Sequence, residues 1–166
     1  MPALSSSNLG VEIEPRRERL RNIIDNVRRG MWGLYIPVFQ REFVWDEDDV
    51  RDFFDSILRG YPVGSIILWQ HGNHDPEKDD PFAEPLVYGI KTYENAKKYY
   101  ILDGQQRLTA IMLLYFGWAI PRSEDRQIKL EVPIAFRPSD RKLIKSGKIG
   151  VDLSKLVRFY VDGRTS

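Results

Sequence analysis

The sequence has no cysteine, and this alone excludes disulfide bridges, thiolate metal centres and cysteine nucleophiles. Histidine is nearly as scarce, with His71 and His74 the only two, so no Ser/His/Asp hydrolytic set can be assembled. Charge of one sign is lacking too. The 25 basic and 24 acidic side chains leave a net +1, so any attraction to a polyanion must come from a local patch. Long apolar runs are missing: Leu108 to Ile120 falls well short of the roughly 20 residues that span a bilayer. Residues 1–11 lack the charged start and apolar middle of a secretion signal. A cytoplasmic chain with no membrane partner is the expectation.

What is present is the material of a folded domain. The 166 residues are 42% hydrophobic and 12% aromatic, enough for one core. A loose leader is expected over 1–14 and a single domain over 15–160. Leu20, Ile23, Ile24 and Val27 recur at helical spacing between Pro15 and Gly30. A strand is expected over Leu34–Val38. Asp46 is a suitable N-cap for a helix whose stripe is Val50, Phe53, Phe54, Ile57 and Leu58, closed by Gly60. A buried strand over Ser65–Trp69 follows a Tyr-Pro-Val-Gly turn, then a polar loop over 71–85. Strands are expected at Leu86–Ile90 and Tyr99–Leu102, the second running into Asp103-Gly104. A helix begins there with Leu108, Ile111, Met112 and Tyr115 on one face and Gly117 at its end. Beyond it, Ile128–Phe136 with Pro133 reads as an edge strand, and 143–151 as a hairpin. The pattern predicts an α/β (α+β) fold.

Two constellations carry chemistry. In Asp103-Gly104-Gln105-Gln106-Arg107 a strand turns through glycine into a helix, whose start offers unpaired N–H groups and the positive end of the dipole to an anion. Arg107 places a cation in that first turn, where the dipole disfavours one, and a bound phosphate would reverse the cost. Gln105 and Gln106 can hold phosphate oxygens or orient a water, and Asp103 can cap the helix or serve Mg²⁺ as a hard oxygen ligand. The plainer alternative is that Asp103 only caps and the other side chains are solvated. The spacing is not that of a P-loop. In the second constellation, Pro37-Val38-Phe39-Gln40-Arg41, a guanidinium and an amide stand beside Phe39, Phe43 and Trp45. That suits a phosphate or a base edge, or else an aromatic packing cluster covered by the Arg41 stem.

Weaker features point to structure. His71 and His74 lie in an Asp-rich loop with no helix to fix them as metal ligands, so a solvated loop is expected. The Arg-rich first helix reads as a solvated face, and Trp32, Tyr35 and Trp69 as core.

In order along the chain, Ile36-Pro37-Val38-Phe39-Gln40-Arg41 with Trp45, an apolar helix, a Pro-Val-Gly turn, and Ile101-Leu102-Asp103-Gly104-Gln105-Gln106-Arg107-Leu108-Thr109 resemble the DUF262 family over roughly residues 15 to 155. That family is similar to the N-terminal domain of ParB and to sulfiredoxin, and includes N-terminal parts of GmrSD-type and Ssp-type restriction proteins directed at modified DNA. The resemblance implies a small mixed sheet flanked by helices. It also implies a nucleoside triphosphatase with Mg²⁺, using Asp103, Gln105, Gln106 and Arg107, with Gly104, Thr109, Gln40 and Arg41 also at the phosphates. DNA contact through Phe39, Gln40, Arg41 and Trp45 is implied as well, together with a nuclease partner in a C-terminal region or a separate chain. The expected function is a regulatory module of an anti-phage restriction system. The alternatives are a sensor of modified DNA that turns nothing over, and a scaffold that docks a nuclease.

Overall fold

The computed structural model describes residues 14–116 throughout, and beyond them five short strands; the leader expected over 1–14 therefore lies almost wholly outside the described residues. In chain order the elements are α1 (Leu20–Arg28), β1 (Trp32–Ile36), α2 (Glu47–Leu58), β2 (Ile67–Trp69), α3 (Pro76–Asp79), β3 (Glu84–Pro85), β4 (Lys97–Asp103) and α4 (Gln105–Phe116). Strands β5 (Trp118–Ala119), β6 (Ile128–Lys129), β7 (Ile134–Arg137), β8 (Lys142–Lys145) and β9 (Val151–Asp152) follow. The expected α/β class is observed. None of the described helices is long and apolar enough to cross a membrane.

A four-stranded mixed sheet in the order β2-β4-β1-β3 is the frame. β1 and β4 run parallel, pairing Leu34 with Tyr99 and Tyr35 with Tyr100, while β2 and β3 close the two edges antiparallel. The alternation of strand side chains then divides the sheet into two faces. Leu34, Ile36 and Ile101 point to the helical side, where they join Ile24, Val50, Phe54, Leu108 and Met112 in one core. Tyr35, Lys98, Tyr100 and Leu102 point the other way, beneath the 71–85 segment.

Local chemistry accounts for the helices. Asp46 accepts from the N–H groups of Asp48 and Asp49 at 2.9 Å each, and Asp49 returns a bond to the Asp46 N–H, so α2 starts with a complete capping box. α1 begins at Leu20, five residues later than Pro15 suggests, because residues 14–19 are not helical and Arg19 at the N-cap makes no side-chain bond. α4 was expected to bury one face. Instead every residue from Leu108 to Tyr115 is buried, as befits a helix enclosed on all sides.

The strands differ more. β1 sits two residues earlier than expected, and β2 is a three-residue edge strand rather than a buried one, with Ile67 and Trp69 exposed. No strand forms at Leu86–Ile90; pairing ends at β3, apart from one bond from the Leu86 N–H to the Leu34 carbonyl. The expected 71–85 loop contains α3, begun by an Asp75 cap and Pro76. The expected edge strand over 128–136 is two strands in different sheets: β6 pairs with β5, and β7 is the centre of a three-stranded sheet ordered β8-β7-β9. The hairpin therefore joins β7 to β8, and β9 pairs with the other side of β7 rather than with β8.

The second face of the main sheet is tied down by charge. Lys98 Nζ, with a side chain 10% exposed, donates to both Asp75 oxygens and to Glu77 at 2.7–2.8 Å, and Glu77 also accepts from Tyr35 and Thr92. The Lys98 bond holds Glu77 below the usual carboxylate range. At Asp75 burial pushes upward, but the Lys98 bonds and the Glu77 N–H outweigh it and the pKa is lowered. Lowered carboxylates contribute stability that is complete above their unfolded values, near about 4, and is lost as the pH falls through the folded ones. Lys98→Met is accordingly expected to cost about 2 kcal/mol and to lower the melting temperature by about 5 °C at neutral pH. The gap should narrow in acid, measured by thermal melts from pH 7 to pH 3.

Candidate functional site

Two segments that lie more than sixty residues apart in sequence meet at the end of β4. The Gln106 amide bonds in both directions with the backbone of the second constellation: its Oε1 accepts from the Val44 N–H at 2.9 Å and its Nε2 donates to the Glu42 carbonyl at 3.0 Å. Gln40 returns the tie, donating from Nε2 to the Leu102 carbonyl at 2.9 Å. The 37–45 loop and the 103–107 turn are therefore one site.

The turn depends on Gly104. Its φ of +88° is one that side chains oppose, and a Cβ there would crowd Ile66. The first bond of α4 runs from the Leu108 N–H to the Gly104 carbonyl, so the N–H groups of Gln105, Gln106 and Arg107 have no partner within the helix. Arg107 is 18% exposed and donates from Nη1 to the Val63 carbonyl at 3.0 Å and from Nη2 to Asp103 at 3.1 Å. It is thus not left unmatched in the first turn, as the sequence suggests. The Asp103 carboxylate supplies the negative charge one turn back, and this replaces the expected capping role. Two of the five guanidinium donors are used in these bonds. The approach of the Val63 carbonyl requires Gly64, at φ +85°, where a Cβ would collide with the guanidinium. Val63 and Gly64 read in the sequence as a turn with no place at the site, although a glycine after Pro-Val was the available signal.

The other expected site residues are dispersed around this centre. Gln105 and Thr109, one helical turn apart, are 6% and 3% exposed, and Gln105 Oε1 and Thr109 Oγ1 have no hydrogen-bond partner among the described residues. They lie beneath the turn, out of reach of a ligand in solvent. Arg41 is exposed and makes no hydrogen bond or ion pair among the described residues, and Phe39 beside it is 72% exposed. Trp45, by contrast, packs on Phe53 with ring centres 5.3 Å apart and on Phe43 at 6.4 Å. For Trp45 the packing alternative describes the geometry.

A groove that the sequence reading missed adjoins this site on the second face of the sheet. Its volume is about 320 Å³, and Phe39, Trp69, His71, His74, Tyr100 and Leu102 line it. Trp69 is 39% exposed rather than core, and His74 is half-buried rather than solvated. Tyr100 donates its hydroxyl proton to Asp80 at 2.9 Å, so the 3.0 Å contact with His74 is a donation from His74 Nε2. Burial, with the Asp80 bond, pushes the Tyr100 hydroxyl up to about 12, so it stays neutral. Among the described residues no group of three or more His, Asp or Glu side chains is placed to hold a metal ion.

Residues 20–159 match the family model of the GmrSD restriction endonuclease N-terminal domain. The chain belongs to that family. As a GmrSD-type N-terminal domain it is a restriction-system module. It is also similar to an uncharacterised protein of Methanocaldococcus jannaschii, with 26% identity over 148 residues, covering 86% of this chain and 22% of that protein. The chain thus spans about a fifth of that relative's length. No solved structure matches it.

The Gln106 tie has a direct test. Gln106→Glu keeps an acceptor for the Val44 N–H but sets a carboxylate against the Glu42 carbonyl, and a loss of about 1–2 kcal/mol is expected. Gly64→Ala, which combines a strained φ with displacement of Arg107, is expected to cost about 1–3 kcal/mol. Urea titrations of the two variants against the parent measure both.

Proposed function

We propose that this module binds and hydrolyses a nucleoside triphosphate across the 103–107 turn, as the regulatory step of a restriction system directed at modified DNA. The observation that carries this reading is the conjunction at one helix start of three N–H groups without helical partners, a guanidinium with donors to spare, and an exposed carboxylate. Phosphate oxygens accept from the N–H groups and from Arg107, and Asp103 is released from its pair with Arg107. One Asp103 oxygen together with phosphate oxygens and waters is a donor set that suits Mg²⁺. When bound, that ion would neutralise charge on the phosphates. The oxygen of a water attacks the terminal phosphorus, the bond to the bridging oxygen breaks, the nucleoside diphosphate leaves with the electron pair, and a proton of the water passes to a phosphate oxygen. Among the turn side chains, the exposed Asp103 carboxylate is the group able to orient that water. Gln106 is a positioning residue, because both ends of its amide are held by the backbone of the 42–44 segment. The nuclease that such a step would control is a partner, on the same polypeptide or a separate one.

Calorimetric titration of GTP and ATP with Mg²⁺, followed by phosphate release, tests the proposal. Loss of a charge-assisted bond predicts roughly 10- to 100-fold weaker nucleotide binding for Arg107→Ala. Asp103→Asn should retain binding and lose turnover. A folded parent with no affinity for either nucleotide overturns the reading.

A second reading, contact with DNA, is favoured by Arg41, whose exposed guanidinium has no hydrogen-bond or ion-pair partner among the described residues. If Arg41 neutralises a phosphate, Arg41→Ala weakens duplex binding across all sequences. It also reduces the slope of log affinity against log salt by about 1. An unchanged slope removes Arg41 from the contact.

A further inference from the structure

The groove between the 37–39 segment and the 71–80 segment belongs to neither the turn nor the Gln106 tie, and most of its wall is aromatic. Trp69 and Tyr100 lie with ring centres 5.6 Å apart and planes 32° apart. His74 stacks on Tyr100 at 6.0 Å and 21°, and His71 sits 5.2 Å from Trp69. Trp69, Tyr100 and His74 thus make a run of rings tilted by 32° and 21° in turn, His71 stands at 53° to Trp69, and Phe39 is exposed beside them. We infer that this groove receives a single nucleobase of a DNA strand, swung out of its stack. The inference rests on the DNA reading given above.

Three features favour a strand-borne base over other guests. The first is shape: flat rings accept a flat ring, the volume of about 320 Å³ is at the small-ligand end of the usual range of roughly 300–1,000 Å³, and stacking is indifferent to base identity. The second is charge. Asp80 stands in the wall, its oxygens accepting from Tyr100 and from the Phe82 N–H, and it repels a phosphate from the interior while tolerating the polar edge of a base. The His71 ring, which makes no hydrogen bond among the described residues, offers a nitrogen to that edge. The third is continuity. The segment that supplies Phe39 continues through Gln40 to Arg41, so the cation available to a strand's phosphates lies beside the groove rather than within it. An anionic backbone outside and a neutral ring inside is the arrangement of an extruded nucleotide.

A duplex with 2-aminopurine at a mismatch, where extrusion costs least, is compared with its fully paired counterpart by anisotropy and by 2-aminopurine emission. The parent is expected to bind the mismatched duplex more tightly and to alter its emission. Trp69→Ala is expected to weaken the mismatched complex roughly 5- to 100-fold and leave paired-duplex affinity unchanged. Phe39→Ala is expected to act in the same direction, and at 72% exposure its removal does not threaten the fold. Binding of both duplexes with equal affinity by the parent, or retention of the full mismatch preference by both variants, overturns the groove while leaving DNA contact through Arg41 intact. Absence of any DNA binding overturns the groove and the DNA reading together. Saturable binding of free GTP or ATP that Trp69→Ala abolishes, without a mismatch preference, assigns the groove to a free nucleotide and overturns the strand-borne base.

Discussion

The interaction on which the site depends is the two-way bond between the Gln106 amide and the backbone at Glu42 and Val44. A primary amide carries a donor and an acceptor side by side, the same pair a neighbouring strand would present, so one side chain can stand in for a rung of sheet. Here it joins the first turn of α4 to a loop more than sixty residues earlier, and Gln40 closes the circuit from the other side onto Leu102. Without these bonds the 37–45 loop would connect β1 to α2 over a half-exposed surface, with Trp45 on Phe53 as its anchor. With them, Phe39 and Arg41 are held beside the end of β4.

Arg107 shows how a local electrostatic argument can be right in kind and incomplete in its partners. A cation in the first turn of a helix does conflict with the dipole. The chain resolves the conflict itself, through Asp103 four residues back and through the Val63 carbonyl, which reaches the guanidinium because residue 64 has no side chain. The pair is only partly sheltered, since Asp103 is largely exposed, so its Coulomb energy is screened and a phosphate competing for the same guanidinium faces a modest barrier. A buried carboxylate would have made the arginine inert. An exposed one leaves it available.

Much of this was legible in the sequence where the deciding interactions are local. The Asp46 cap of α2 needs only its own first turn, and the strand, glycine and helix order of the 97–116 segment follows from period and turn chemistry. What depends on remote pairing was not legible. Ser65–Trp69 has the composition of a buried strand, yet it lies at the sheet edge because β4 is its only strand partner among the described residues. The apolar stripe of α4 understates its burial, because how many neighbours enclose a helix is a tertiary fact. The pairing of β8 with β7 rather than β9 is of the same type. For the site, the Gln106 tie was invisible because its partners are backbone atoms, which every residue has. The groove was invisible because Trp69, His74 and Tyr100 come together only after the 71–85 segment folds back across the sheet.

That folding back gives one strand end two different surroundings. Successive residues of β4 point to opposite faces, so Tyr100 and Leu102 belong to the aromatic groove while Ile101 enters the core and Asp103 meets Arg107. Lys98, two residues earlier on the groove face, anchors Asp75 and Glu77 and so fixes the far wall from which His74 and Asp80 project. The Leu102 carbonyl, in the plane of the sheet, is what Gln40 grips. Any shift of the 37–45 loop that loosened this bond would move Phe39 at the groove and the Gln106 tie at the turn together, because both are carried by the same nine residues. The end of β4 carries the groove on one face and the turn on the other, and the 37–45 loop is tied to both.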